Sequence, residues 1–242
     1  MALRGVSLGS KTIEYLLELG LVVLGISASF WIENYREALG ELKIEQEYLQ
    51  GLREDLGRDT VALIAYRERQ LARAEGCFAL LRYVDTGTVP PDTFLVHFFA
   101  IINYQRFETH ANTLREMESA GQFRLLRDRD LRKGILELQN LYVEVETAQE
   151  HQRYDQYEHL YPDLFRGPDF RTLLKGSSAV IPPTELQAFQ GELKQLYKNR
   201  HFLNSLLVIG SNAQQSISNL EIALEQSRRL LRRIEGQLKK AR

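Results

Sequence analysis

Cysteine is nearly missing from this chain. Cys77 stands alone, which excludes an internal disulfide and any cysteine-cluster metal site. A lone thiol beside Phe78 is expected to serve as a small buried apolar group. Proline is scarce and confined: all six lie between Val89 and Pro183, so two long stretches are free to be helix. Charge of one sign is not in excess either. With 31 basic and 32 acidic residues, nothing steers the whole chain toward nucleic acid, and no nucleic acid partner is expected. Phosphate-binding glycine loops, a nucleophile elbow, a zinc-protease helix and a dinucleotide fingerprint are all lacking. No isolated carboxylate pair stands out for acid–base work. The reading is that the protein is not an enzyme and needs no cofactor or catalytic metal.

What the chain does have is one long apolar run. Tyr15 to Ile32 reads YLLELGLVVLGISASFWI, with Glu18 its only charge. Eighteen helical residues at ~1.5 Å each reach roughly 27 Å, close to the ~30 Å hydrocarbon core of a bilayer. A cleaved signal peptide would account for the basic start (Arg4, Lys11) and the small-residue stretch Ser27-Ala28-Ser29. Against it stand Glu14 and Glu18, and the helical continuation Trp31-Ile32-Glu33-Asn34-Tyr35. A buried core helix is the third alternative. A retained single span over residues 14–35 is the reading adopted, with Tyr15, Trp31 and Tyr35 as interfacial anchors. Residues 1–13 carry Arg4 and Lys11 and no acid, whereas 33–47 carry five glutamates against Arg36 and Lys43. Positive charge stays inside, which implies a short cytoplasmic N-terminus and an extracytoplasmic domain over 36–242. In a bacterium this is an inner-membrane protein whose large domain is periplasmic.

Within the span, Glu18, Val22, Gly25 and Ser29 recur at spacings of 4, 3 and 4, one stripe of a helix. Gly25 and Ser29 make a small-xxx-small face for packing against another copy. The alternative is a pore lining, because ionisable residues in spans are costly and rings of Glu select cations. Either way the chain self-associates.

The remainder reads as all-α, an elongated antiparallel helical bundle or coiled coil. From Glu33 to about Val84 apolar residues fall near a 3-4 repeat, including Leu42, Leu49, Leu52, Leu56 and Leu63. Thr86 to Asp92 is a break, and Phe94 to Tyr104 is expected to be a buried helix closing the distal end, with His97 a satisfied core histidine. A helix near Thr109–Ser119 should end at Gly121, and Asp128 should cap a helix carrying Leu131, Ile135, Leu138, Tyr142 and Val145. Past Val145 this stripe turns polar, so that end is expected to be solvated or to meet another chain. Residues 162–183, with four prolines, form the longest irregular connection. Thr184 to Arg242 reads as one helix of ~58 residues, about 85 Å long, with a stammer at Gly210.

The last 17 residues hold Arg228, Arg229, Arg232, Arg233, Lys239, Lys240 and Arg242 against Glu235. An antiparallel pairing sets this basic end beside the acidic 33–47 segment; the alternative is contact with anionic headgroups. His151, Asp155 and His159 share a helix face at i, i+4 and i+8 and could offer two imidazoles and a carboxylate to a metal. Their neighbours Glu150, Arg153 and Glu158 mark ordinary solvated surface, which is the preferred reading.

Two stretches resemble an uncharacterised bacterial membrane-protein family of unknown function. One is ELGLVVLGISASFWIENYRE (18–37) followed by EYLQGLREDL (47–56); the other is TLREMESAGQFRLLRDRDLR (113–132). That family similarly has a Glu opening a glycine-containing span, then an E-Y-L-x-x-L-x-x-D-L helix, then a Ser-x-Gly turn and an Asp-capped helix. Glu33-Asn34-Tyr35 stands here in place of its usual Asn-Trp pair. The resemblance implies a helical membrane-anchored protein and transfers no catalytic residue. The expected function is a non-enzymatic membrane-anchored scaffold or sensor-like interaction protein, with an oligomeric pore subunit as the alternative. Expected partners are the lipid bilayer, further copies of the chain and a protein that the sequence does not identify.

Overall fold

A computed structural model describes residues 8–86, 91–169, 171 and 183–240. Among them the chain is all-α. Helix α1 spans Leu8–Thr86, α2 Pro91–Ile102, α3 Asn112–Ser119, α4 Arg129–Tyr154, α5 Tyr161–Phe165, α6 Pro183–Leu196 and α7 Arg200–Lys240. A 3₁₀ turn, Phe123–Leu125, precedes α4, and a π-helical turn, Asp155–Leu160, joins α4 to α5. The break expected after Thr86 and most of the 162–183 connection lie outside the described residues.

The expected boundary between anchor and bundle is not a break at all. Helix α1 runs without interruption for 79 residues, roughly 118 Å. No proline falls in it, and Leu, Glu, Arg and Ala dominate, so intrinsic propensity carries it across the junction. Tyr15 to Gly40 is exposed apart from a half-buried Gly20, and burial begins at Leu42–Glu45.

Helix α7 packs antiparallel to α1: the Thr60 and Ser227 hydroxyls lie 2.9 Å apart, and Gly210 sits against Cys77 further along. Helix α4 runs parallel to α1, with Arg127 beside Glu45 at one end and Gln156 beside Arg73 at the other. The chain therefore returns from α2 to the start of α4 alongside α1. Carboxylates of α1 hold that return limb by its backbone. Asp59 accepts from the His110 N–H at 2.7 Å and lies 3.0 Å from its ring Nδ1. Asp55 accepts from the Thr113 N–H at 2.9 Å, capping the start of α3 from another helix, and Glu45 from the Arg127 N–H at 2.6 Å. All three acids are buried, and each meets donors that would otherwise be stranded.

Two apolar clusters result. The first joins Leu49, Leu52, Leu63, Met117, Leu131, Leu138, Leu220 and Ile234 from α1, α3, α4 and α7. The second, distal cluster gathers Cys77, Leu80, Phe94, Phe98, Leu160, Phe189, Leu193, Phe202 and Leu206.

Several expectations are corrected. The segment from Thr184 is two helices, not one: α6 ends at Leu196, and the Asn199 side chain caps α7 by accepting from the His201 and Phe202 N–H groups. Helix α2 buries Phe94, Phe98 and Ile101 but leaves Val96 and Phe99 exposed, so it is covered on one side only. His97 stacks on Tyr83, and its buried Nδ1 has no hydrogen-bond partner among the described residues, so it is not a satisfied core histidine.

Candidate functional site: the exposed helix end, the basic end and a buried polar belt

The first candidate is the free end of α1. From Tyr15 to Ile32 every residue but Gly20 is exposed, with Leu21 at 69% and Trp31 at 70%. This helix is long and apolar enough to cross a membrane, a test that a signal sequence near the N-terminus also passes. A buried core helix is not what the structure holds, since none of its apolar window is covered. Ten Leu, Val, Ile and Phe residues at about −0.3 to −0.6 kcal/mol each favour insertion by roughly 3–6 kcal/mol. Glu18 opposes with at most ~3 kcal/mol, and with less because it sits one turn from the end of the run.

Glu18, Val22, Gly25 and Ser29 lie on one uninterrupted helix and remain exposed, with no atom within 4 Å of where a Gly25 Cβ would be. The Ser29 hydroxyl donates to the Gly25 carbonyl at 2.9 Å, so it needs no partner in lipid. Trp31 and Tyr35 stack with ring centroids 5.9 Å apart, and Tyr15 lies at the other end of the run.

The second candidate is the bundle end nearest that run. Gly121 adopts φ +67°, and the Gly121 and Gln122 N–H groups bond back to the Glu118 and Met117 carbonyls, the αL termination that glycine permits. Gln122 also accepts from the Tyr48 hydroxyl of α1. Asp128 caps α4, accepting from the Asp130 and Leu131 N–H groups at 3.0 and 3.1 Å. Its other partners are Arg233, through Nε at 2.5 Å and Nη2 at 2.7 Å, and Gln237. The Arg233 hydrogen bonds hold the Asp128 carboxyl below its ordinary value, outweighing partial burial. Arg232 pairs with Glu225, and Arg228, Arg229, Lys239 and Lys240 are exposed. The basic end thus engages α4 rather than the acidic stretch of α1, whose Glu41 and Glu45 instead meet Arg127.

A third site was not expected. Between the two apolar clusters lies a belt of buried polar side chains. Gln70 and Gln152 exchange amide hydrogen bonds at 3.1 and 3.2 Å, and Gln152 also donates to Ser216 at 2.9 Å. Gln149 bonds both backbone groups of Phe107. Arg73 donates to Gln156 at 2.9 Å, and Gln156 donates to the Ile102 carbonyl and the Tyr161 hydroxyl. Arg73 is 3% exposed, faces an amide rather than a carboxylate, and leaves its Nε without a partner. Burial accordingly lowers the guanidinium's affinity for its proton, and burial raises the Cys77 thiol to about 12. The π-helical turn lies at this level. The polar stretch after Val145, expected to be solvated, is therefore interior: Gln149, Gln152 and Gln156 continue the core stripe of α4.

The π turn also undoes the candidate metal face. Asp155 accepts from Asn212 at 2.8 Å, His159 packs on Tyr154 and His201, and His151 is exposed. Among the described residues no three His, Cys, Asp or Glu side chains converge to hold a metal. Compared with models of protein families, with curated proteins and with solved structures, the chain matches none.

Proposed function

We propose that this is a non-enzymatic, single-span membrane protein of the bacterial inner membrane, a scaffold or sensor-like interaction module that self-associates through its span. Its N-terminus is cytoplasmic and its bundle periplasmic. The observation that carries the reading is that α1 is one helix serving two solvents. Its first part is apolar and uncovered, and its remainder is the spine around which α4 and α7 pack. A continuous helix transmits position and orientation with no flexible joint, so the bundle's attitude follows that of the span.

Fractionation tests the anchor: the intact chain should stay in the membrane pellet after alkaline carbonate washing, and added protease should reach the bundle only from the periplasmic side. Recovery of the uncut chain in the supernatant overturns the reading. Gly25→Leu tests the association, because a larger side chain on the small-residue face keeps helices apart. The detergent-solubilised mass should fall toward that of one copy. An unchanged mass removes Gly25 from the interface.

A further inference from the structure

The bundle end that faces the apolar run is a collar of cations drawn from three separate elements. Residues 120–133 and 228–240 together hold eleven Lys and Arg against three carboxylates. Arg233 is neutralised by Asp128 and Asp130, Arg127 by Glu41 and Glu45, and Lys133 lies near Glu137. Arg124 on the 3₁₀ turn, Arg129 at the start of α4, and Lys239 and Lys240 at the end of α7 are exposed, and no described carboxylate forms a salt bridge with them. Arg129 occupies the first turn of a helix, where the macrodipole disfavours a cation. Among the described residues no ion pair accounts for Arg124, Arg129, Lys239 and Lys240 at this end.

Their position does. The Glu45–Arg127 bond sets the collar level with Glu45 of α1. The apolar run ends at Ile32, so an upright α1 holds the collar about 20 Å beyond the hydrocarbon edge. That is clear of a headgroup layer roughly 5–8 Å deep by more than a Debye length of ~8 Å. Spans tilt, however, by about 20° on average and up to ~40°. Helix α7 packs on α1 at about 8–10 Å, and α4 packs on α7. A tilt of ~30° toward them lowers the collar to roughly 13 Å from the hydrocarbon edge, within reach of Lys and Arg side chains from the outer headgroups.

We infer that the collar docks on anionic lipid headgroups, so that the bundle leans on the bilayer on its α4/α7 side instead of standing upright. Each cation near such a surface contributes about 1 kcal/mol, enough in sum to select the tilt. The inference rests on the anchored reading above, since α1 is what brings the headgroups to this face.

The test uses the full chain with a donor dye on Gly236→Cys, an exposed position, while buried Cys77 stays unlabelled. The protein is placed at one copy per lipid nanodisc, with an acceptor on the headgroups. In phosphatidylglycerol-rich discs the donor should lie about 8 Å closer to the headgroups than in phosphatidylcholine discs. The difference should vanish at about 1 M salt, where the Debye length falls to ~3 Å. It should also vanish on Arg124→Glu, Arg129→Glu, Lys239→Glu and Lys240→Glu together, with helicity checked by circular dichroism. If that variant does not fold, the lipid and salt comparisons on the unaltered collar decide. Equal distances in both lipids overturn the inference and leave the anchor intact. Failure to enter discs at all overturns the anchored reading, and this inference with it.

Discussion

A single methyl group distinguishes two glycines of α1 and tests how the distal end is built. At Gly76 an added Cβ would lie 2.7 Å from the His97 carbonyl oxygen and 3.2 Å from Ile101 Cγ1 of α2. At Gly57, on the same helix, nothing lies within 4 Å. Helix propensity alone favours alanine by about 1 kcal/mol at both places. At Gly57 that gain stands, so Gly57→Ala should stabilise by roughly 0.5–1 kcal/mol. At Gly76 the obstacle is backbone, which has no rotamer to escape into, and α2 must back away from Cys77 and Leu80. Overpacking of this kind costs about 1–3 kcal/mol, and α2 sits close enough to place the cost at the upper end. The net for Gly76→Ala is a loss of roughly 1–2 kcal/mol. Urea unfolding in detergent, followed by circular dichroism, measures both. The two midpoints should move in opposite directions, with unfolding free energies separated by about 1.5–3 kcal/mol. If Gly76→Ala stabilises as Gly57→Ala does, α2 does not lie against α1 and the distal cluster is wrongly assembled.

The Asp128 carboxyl, held below its ordinary 3.8 chiefly by Arg233, contributes stability that is present at neutral pH and lost as pH falls through its lowered folded value. Asp128→Asn should therefore cost under about 1 kcal/mol at pH 7, since Arg233 is partly exposed, and less at pH 2 than at pH 7, as thermal unfolding at the two pH values will show. Asp128→Ala should add the loss of a cap, about 1 kcal/mol more at both. Cys77, fully buried with its thiol pushed to about 12, should resist iodoacetamide at pH 8 until urea unfolds the bundle. Labelling at native rates would place it outside the core. In the belt, Gln156→Leu should destabilise by about 3–5 kcal/mol by stranding the Arg73 charge. Arg73→Met removes that charge and leaves one amide oxygen unpaired, and should cost ~1–3 kcal/mol at most. Equal costs would mean that Arg73 is solvated.

The elements that could be read from residue order are those set by local chemistry. Asp128 and Gly121 specify a cap and a helix end through contacts spanning a few residues, and α1 and the bulk of α7 arise from an unbroken apolar stripe. The internal break at Tyr197–Asn199 was hidden because that stripe keeps its period straight through it. Only the Asn199 side chain, able to cap the first turn of α7, marked the interruption. The belt was hidden for a different reason. Gln149, Gln152 and Gln156 extend the spacing of Leu131, Ile135, Leu138, Tyr142 and Val145, so periodicity alone placed them inside. Their polarity argued for solvent, and the partners that satisfy them, Gln70, Arg73, Phe107 and Ser216, are distant in the chain. Burial of an amide is decided by whether its hydrogen bonds can be met, which is a property of the assembled bundle. The direction of α4 was hidden likewise, because the return limb that makes it parallel to α1 is held by backbone N–H groups bonded to Asp55, Asp59 and Glu45.

Long helices with a repeating apolar stripe have a weakness that the belt addresses. Apolar contacts are nearly indifferent to a slip of one heptad, since leucine meets leucine again two turns along. A slip of α4 against α1 would tear Gln152 from Gln70 and Gln156 from Arg73, breaking bonds made by three buried amides and a buried guanidinium. Each stranded amide costs about 1–3 kcal/mol and the charge several more, which together are comparable with the ~5–15 kcal/mol by which most domains are stable. The belt thus discriminates between registers that the leucines cannot tell apart. Because α1 carries the exposed apolar run at a fixed distance from Gln70 along the same helix, fixing α4 against Gln70 also fixes Arg127, Asp128 and the collar relative to Ile32. The proposed anchor, continuous with the spine, is useful only if the helices around that spine are held in one register, and the buried polar layer supplies that constraint.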